Sequence, residues 1–179
     1  MFGLKQHDQD KLVFPVENRQ HLKNYLIEIL SDLELIEETS SYHPEENVLV
    51  HSLQVFELAY QATNDPELWA AALFHDVGKA IDIQAHDIYG ANLLTGLLSP
   101  RIVWLIEHHL DLLKQPKKTR HLLQNTRQLY ELEQLRRWDL QGRQPNKSVV
   151  VIDFAINRLL QHHAQITGQS IDSEGGNYA

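Results

Sequence analysis

Three places in the chain put histidine or aspartate in or beside long apolar runs, and a fourth puts an aspartate at the end of a helical stretch. His51 interrupts VLVHSLQVF, His75-Asp76 ends WAAALF, His109 closes IVWLIEHH, and Asp139 follows Arg136-Arg137-Trp138. An imidazole or carboxylate at a core-facing position is costly unless something satisfies it, and metal coordination is one standard means. Any one of these residues alone reads as an ordinary hydrogen-bonded core residue. The joint pattern points instead to shared coordination of a metal. The adjacent pair is the most informative part. In ALFHDVGK a neutral imidazole and an ionised carboxylate stand side by side, Gly78 lets the backbone turn away, and Lys79 brings an ammonium able to hold an anionic oxygen.

Helices must position these groups, because helical periodicity dominates the chain. Leu22, Tyr25, Leu26, Ile29, Leu30 and Leu33 recur at spacings of three and four and predict a helix over about 18–38. SSYHPEEN reads as a loop ending in a helix start near Glu45. A second helix carries Val48, His51, Val55 and Leu58 and ends near Thr63-Asn64-Asp65-Pro66. Pro66 suits the first turn of a third helix running into His75-Asp76. Further helices are expected over 86–98, 101–113, 119–138 and 147–166. The β-rich run Ser148–Ile152 continues into a helical pattern, so no strand is expected. The expected architecture is all-α, about six or seven helices in one domain over residues 1–167. The polar, Gly-rich stretch 168–179 reads as a disordered tail.

Composition excludes several classes. Hydrophobic residues make up 42 %, enough for a core, and there is no Cys, which removes disulfide scaffolds, thiolate metal sites and a Cys nucleophile. No uncharged apolar run approaches the roughly 18 residues a membrane span needs. No signal peptide is evident at the start, so a cytoplasmic location without membrane contact is expected. A net charge of −8 argues against a nucleic-acid partner. Residues 114–147, however, hold nine basic side chains against three acidic ones. That field would either attract a small anionic substrate or form a solvated helical face.

His51, the adjacent His75-Asp76 and the distant Asp139 together resemble the signature of the HD-domain superfamily of metal-dependent phosphohydrolases. The resemblance spans about residues 42–145. In its two-metal branches further histidines lie on the next two helices, and His86 in HDIYGANLL resembles the first of them. For the second the chain offers His108 and His109. Resemblance to related L-V-x-x-H-V segments favours His109, which also shares a face with Ile102, Leu105, Ile106 and Leu113 if 101–113 is one helix. The implied ligand set is His51, His75, Asp76, His86, His109 and Asp139, with Asp76 bridging two metals. Such His/Asp ligands without Cys suit one or two Fe, Mn, Co, Ni or Zn ions.

The resemblance implies three alternative functions. In a phosphohydrolase acting on a nucleotide or another small phosphate ester, Asp76 and Lys79 are catalytic, and Lys79, Arg136 and Arg143 meet the phosphoryl charge. YHPEENVLVHSL is similar to the opening of HD domains in CCA-adding tRNA nucleotidyltransferases. The second alternative rests on LRRWDLQGR, which resembles the final motif of mixed-valence di-iron HD oxygenases that cleave polyols or organophosphonates. There Arg136 and Arg143 match basic positions around the last Asp, and Tyr42 and Glu45 correspond to residues covering the open metal position. This chain departs from those oxygenases in the ten-residue interval from Asp76 to His86, in Arg at 143 where they have Lys, and in the offset of Lys114. The third is a non-catalytic nucleotide-sensing module. Oligomeric state is not legible in the residues.

Overall fold

A computed structural model describes residues 19–36 and 47–169. The helices are α1 (Arg19–Ser31), α2 (Val48–Ala62), α3 (Pro66–Phe74), α4 (His86–Leu94), α5 (Pro100–His108), α6 (Asp111–Lys114), α7 (Pro116–Leu122), α8 (Arg127–Gln141), α9 (Ile152–Leu160) and α10 (His163–Thr167). Two 3₁₀ turns, Asp32–Leu35 and Val77–Ala80, follow α1 and α3. No strand occurs among the described residues, and the fold is all-α. No described helix is long and apolar enough to cross a membrane.

Side-chain caps start four of the five helices that carry the site, α4 being the exception. Asn47 accepts the Val50 amide (3.2 Å) at the head of α2, and Asp65 accepts the Glu67 amide (3.1 Å) in front of Pro66 on α3. Ser99 caps α5 ahead of Pro100, and Thr126 caps α8. Each cap satisfies an amide that the helix cannot pair internally. α3 is apolar on every side and lies at the centre, with Ala70–Phe74 completely buried. It packs against α2, α5, α8, α9 and α10, and its alanines let those neighbours come close. Full burial of Leu73 and Phe74 contributes roughly 1.5–3 kcal/mol each.

Several expected helices are shorter or divided. The helix expected over 119–138 breaks between α7 and α8, where Asn125 takes a left-handed φ of 62° and Thr126 becomes a cap. Asparagine tolerates that conformation, so the Asn-Thr pair is a stop followed by a start. The segment expected to be helical from 147 stays non-helical to Val151 and turns helical at Ile152. Val150 donates its amide to Glu57 on α2 (2.8 Å), a bond that holds this β-branched run against α2 before α9 begins. The helix expected over 101–113 breaks at His109, so Leu112 turns inward and Leu113 is 58 % exposed rather than buried. The expected helix 86–98 ends at Leu94. The helix start expected near Glu45 and most of the stretch 168–179 lie outside the described residues.

One ion cluster ties the helices that bear the site. Arg101 at the start of α5 reaches Asp65 (2.6 Å), Glu67 (2.7 Å) and Glu131 (2.6 Å), joining the heads of α3 and α5 to the first half of α8. Arg127 also pairs with Glu131, whose side chain is only 4 % exposed. Burial raises the Asp65 pKa, but the hydrogen bond and charge of Arg101 outweigh it and hold it below the usual carboxylate value. A depressed carboxylate adds stability that is complete above its unfolded pKa, about 4, and is lost as pH falls through the folded value. Arg101→Ala removes the cation shared by three carboxylates and leaves Arg127 alone beside Asp65 and Glu131. It is expected to cost about 3 kcal/mol at pH 7 and to make the acid-side loss of stability below about pH 4 shallower. Urea titrations at neutral and acid pH read both effects.

Candidate metal centre

The break in each helix, more than its middle, delivers the site. His75 caps the C-terminus of α3 and Asp76 follows it; His86 is the first residue of α4, and His109 is the C-cap of α5. His51 comes from the first turn of α2 and Asp139 from the last turn of α8. His51, His75, Asp76, His86 and His109 are all buried, and the Asp139 side chain is 14 % exposed.

Every ring is oriented the same way. The Nδ1 atoms of His51, His75, His86 and His109 face the carbonyls of Gly142 (3.0 Å), Ala72 (2.9 Å), Ile83 (2.7 Å) and Ile106 (2.6 Å). Donation of Nδ1–H to those carbonyls fixes the tautomer and leaves each Nε2 as a lone pair. These lone pairs converge. His51 Nε2 lies 3.3 Å from His75 Nε2, and His86 Nε2 lies 3.2 Å from His109 Nε2. Two lone pairs at that separation repel each other unless a cation lies between them.

Asp76 divides the cluster in two. Its Oδ2 faces His51 (3.7 Å) and His75 (3.4 Å), and its Oδ1 faces His86 (3.1 Å) and His109 (3.8 Å). Asp139 Oδ1 joins the first group, 3.1 Å from His51 and 3.9 Å from His75. Metal–ligand bonds of about 2.1 Å put neighbouring ligand atoms roughly 3.0–3.4 Å apart. The shorter separations fall in that range and the longer ones exceed it by a few tenths of an ångström. His51, His75 and Asp76 form one group able to hold a metal ion, and Asp76, His86 and His109 form another.

The electrostatics favour cations. Burial opposes ionisation of Asp76, yet the neighbouring His75 and Lys79 keep its pKa well below the ordinary carboxylate value. Asp139 is likewise depressed, against burial, by its hydrogen bond to His51 and by the charge of His75. Burial disfavours protonated His51 and His86, but Asp139 and Asp76 outweigh it and raise both pKa values. His109 is pushed down to about 4, chiefly by burial and then by His75.

The remaining expected residues fall at different distances from this centre. Lys79 is buried and its Nζ lies 2.9 Å from Asp76 Oδ2. Arg143 holds Asp139 through Nη2 at 3.3 and 3.5 Å. Arg136 is half-buried on α8, and no hydrogen bond or ion pair joins it to the cluster among the described residues. His108 turns away from the site, pairs with Asp111 (2.8 Å) and stacks on Trp104. Tyr42 and Glu45 lie outside the described residues.

Two features escaped the sequence reading. Asp87, beside His86, is buried and holds the Lys114 ammonium at 2.6 Å, linking α4 to α6. Glycines set the close approaches: a Cβ at Gly78 would lie 2.0 Å from His86 O and 2.6 Å from Gly90 N, and one at Gly142 would lie 2.6 Å from Val55 Cγ2. Gly78 therefore lets Asp76 approach His86, and Gly142 lets its carbonyl reach His51. The signal for both is a Gly within three residues of a site Asp, in HDVG and WDLQG.

A family model for the HD domain matches residues 48–155, more than half of the chain, and the chain belongs to that family. No curated protein matches it. HD domains form a superfamily of metal-dependent phosphohydrolase type, most of whose members are hydrolases that bind divalent metals, and the buried His/Asp groups fit such a site.

Two variants test the geometry. Gly78→Ala is expected to force α4 from the Val77–Ala80 turn, costing about 1–3 kcal/mol and lowering the metal retained per chain. Elemental analysis beside thermal melting checks both. In the same analysis His109→Ala is expected to lower bound metal, and His108→Ala to leave it unchanged.

Proposed function

We propose that the chain is a cytoplasmic metal-dependent phosphohydrolase acting on a nucleotide or another small phosphate ester, with His51, His75, Asp76, His86, His109 and Asp139 holding a pair of divalent ions. The observation that carries this reading is the single Asp76 carboxylate shared between two His groups, with Lys79 bonded to it. Fe, Mn, Co, Ni and Zn all suit the donor set. Bound there, such ions supply a water of lowered pKa and polarise a phosphoryl oxygen. The chain's own groups do the rest. Four carbonyl-oriented imidazoles keep their lone pairs directed inward at little reorganisation cost. Lys79 balances the Asp76 charge and offers an ammonium to an incoming anionic oxygen, as Arg143 does beside Asp139. Arg136, on the same helix, adds positive charge to the approach.

The Asp139–Arg143 pair, four residues apart across the end of α8, also favours a second reading, a di-iron oxygenase acting on a polyol or organophosphonate. The two are separated by what turnover consumes. The hydrolase is expected to release phosphate from a panel of nucleotides and phosphomonoesters without consuming O2. Asp76→Asn should abolish the release, and Lys79→Ala should lower it about 100-fold with metal content retained. Oxygen-electrode traces showing uptake with polyols or phosphonates, and no phosphate release from the nucleotides and phosphomonoesters, would overturn the hydrolase in favour of the oxygenase.

A further inference from the structure

The basic stretch 114–147 is only partly absorbed by the metal centre. Arg143 serves Asp139 and Lys114 serves Asp87, but Lys118 has no carboxylate partner among the described residues. Lys118 lines a recess of about 320 Å³ between α5, α6, α7 and α8. Small-molecule pockets start at about that size. None of the clustered His and Asp side chains lines it, so it is a separate place on the protein.

The groups around this recess offer three kinds of chemistry. Trp104 and His108 supply an aromatic wall, their ring centroids 4.5 Å apart with the planes tilted by 34°. Trp69 and Trp138 are buried, which leaves Trp104 as the half-buried tryptophan, and Leu122 beside it is 66 % exposed. Gln115 and Gln128 bring two carboxamides whose side chains make no hydrogen bond among the described residues. Lys118 brings the cation. His108 and Asp111 already satisfy each other.

Those offers select a ligand class. An aliphatic molecule would leave two amides and an ammonium unused, and a bare oxyanion would leave the aromatic and leucine surface wet. A flat nitrogen heterocycle stacks on an aromatic ring. Its edge presents the donor–acceptor pairs that a carboxamide reads, and an attached anionic group meets lysine. We propose that this recess is a second binding site, for a nucleotide-class ligand, distinct from the metal centre. It stands whether the metal centre hydrolyses phosphate esters or activates oxygen.

The test keeps the metal centre out of the reading. The full chain, with its metal retained, is titrated with adenosine monophosphate while tryptophan emission is followed, and variants that touch only the recess assign the signal. A saturable change is expected, because Trp104 lines the recess. Lys118→Gln and Gln128→Ala, both at exposed positions, are each expected to weaken the affinity at least tenfold with the melting temperature unchanged. No saturable change at millimolar nucleotide overturns the proposal. So does equal affinity in wild type and both variants, or inorganic phosphate competing as strongly as the nucleotide.

Discussion

The packing of this protein is organised around one electrostatic constraint. Four imidazole lone pairs and two carboxylates meet in a largely buried volume, and none of them is tolerable there alone. Asp76 sits between two pairs of rings that would otherwise repel across little more than 3 Å. The surrounding structure supplies half of the compensation: backbone carbonyls behind each ring, Lys79 on Asp76, and Arg143 on Asp139. Cations held between the facing nitrogens would supply the rest. A site so arranged is preorganised for metal ions, since the fold has already borne the cost of bringing the donors together.

Bringing them together sets demands on distant parts of the chain. α3 must lie at the centre, because only there can the residues just past its end face helices on both sides. Its Ala-rich sequence permits this, and the Arg101 cluster anchors its far end to α5 and α8. Those three helices carry His75-Asp76, His109 and Asp139. The same rods that bury the apolar core therefore also set the separations among the ligating atoms. Gly78 and Gly142 complete the arrangement by removing side chains where two backbones must nearly touch.

Much of this was legible in the residues. The all-α class follows from spacings of three and four; periodicity implied six or seven helices, and the described residues form ten because the expected 101–113, 119–138 and 147–166 helices are each divided. His51, His75, Asp76 and His109 stood out because each interrupts or closes an apolar run, Asp139 because it ends a helical stretch, and the structure brings all five together. His86 was recognisable only by family resemblance, since its surroundings, QAHDIYG, carry no apolar pattern ahead of it. The breaks inside helices were not legible. Continuous apolar periodicity ran through His109 and through Asn125, and only tertiary contacts decided that the chain should turn there. The Leu112–Leu113 exchange follows directly, since ending a helix early rotates everything after it. Asp87–Lys114 escaped because the two are 27 residues apart and neither lies in an apolar run.

The four ring-orienting carbonyls differ in one further respect. For His75, His86 and His109 the carbonyl belongs to the residue three positions earlier, so each ring is set by its own turn of chain. For His51 it belongs to Gly142, 91 residues away. The pair formed by His86 and His109 thus closes over a short loop, with both rings aligned locally as soon as α4 meets α5. The pair that includes His51 acquires its alignment only when the end of α8 docks on α2, a closure that carries a larger entropic cost. The two halves of the centre thus differ in what holds them: one is organised by neighbours in sequence, and the other depends on closure of the domain across 91 residues.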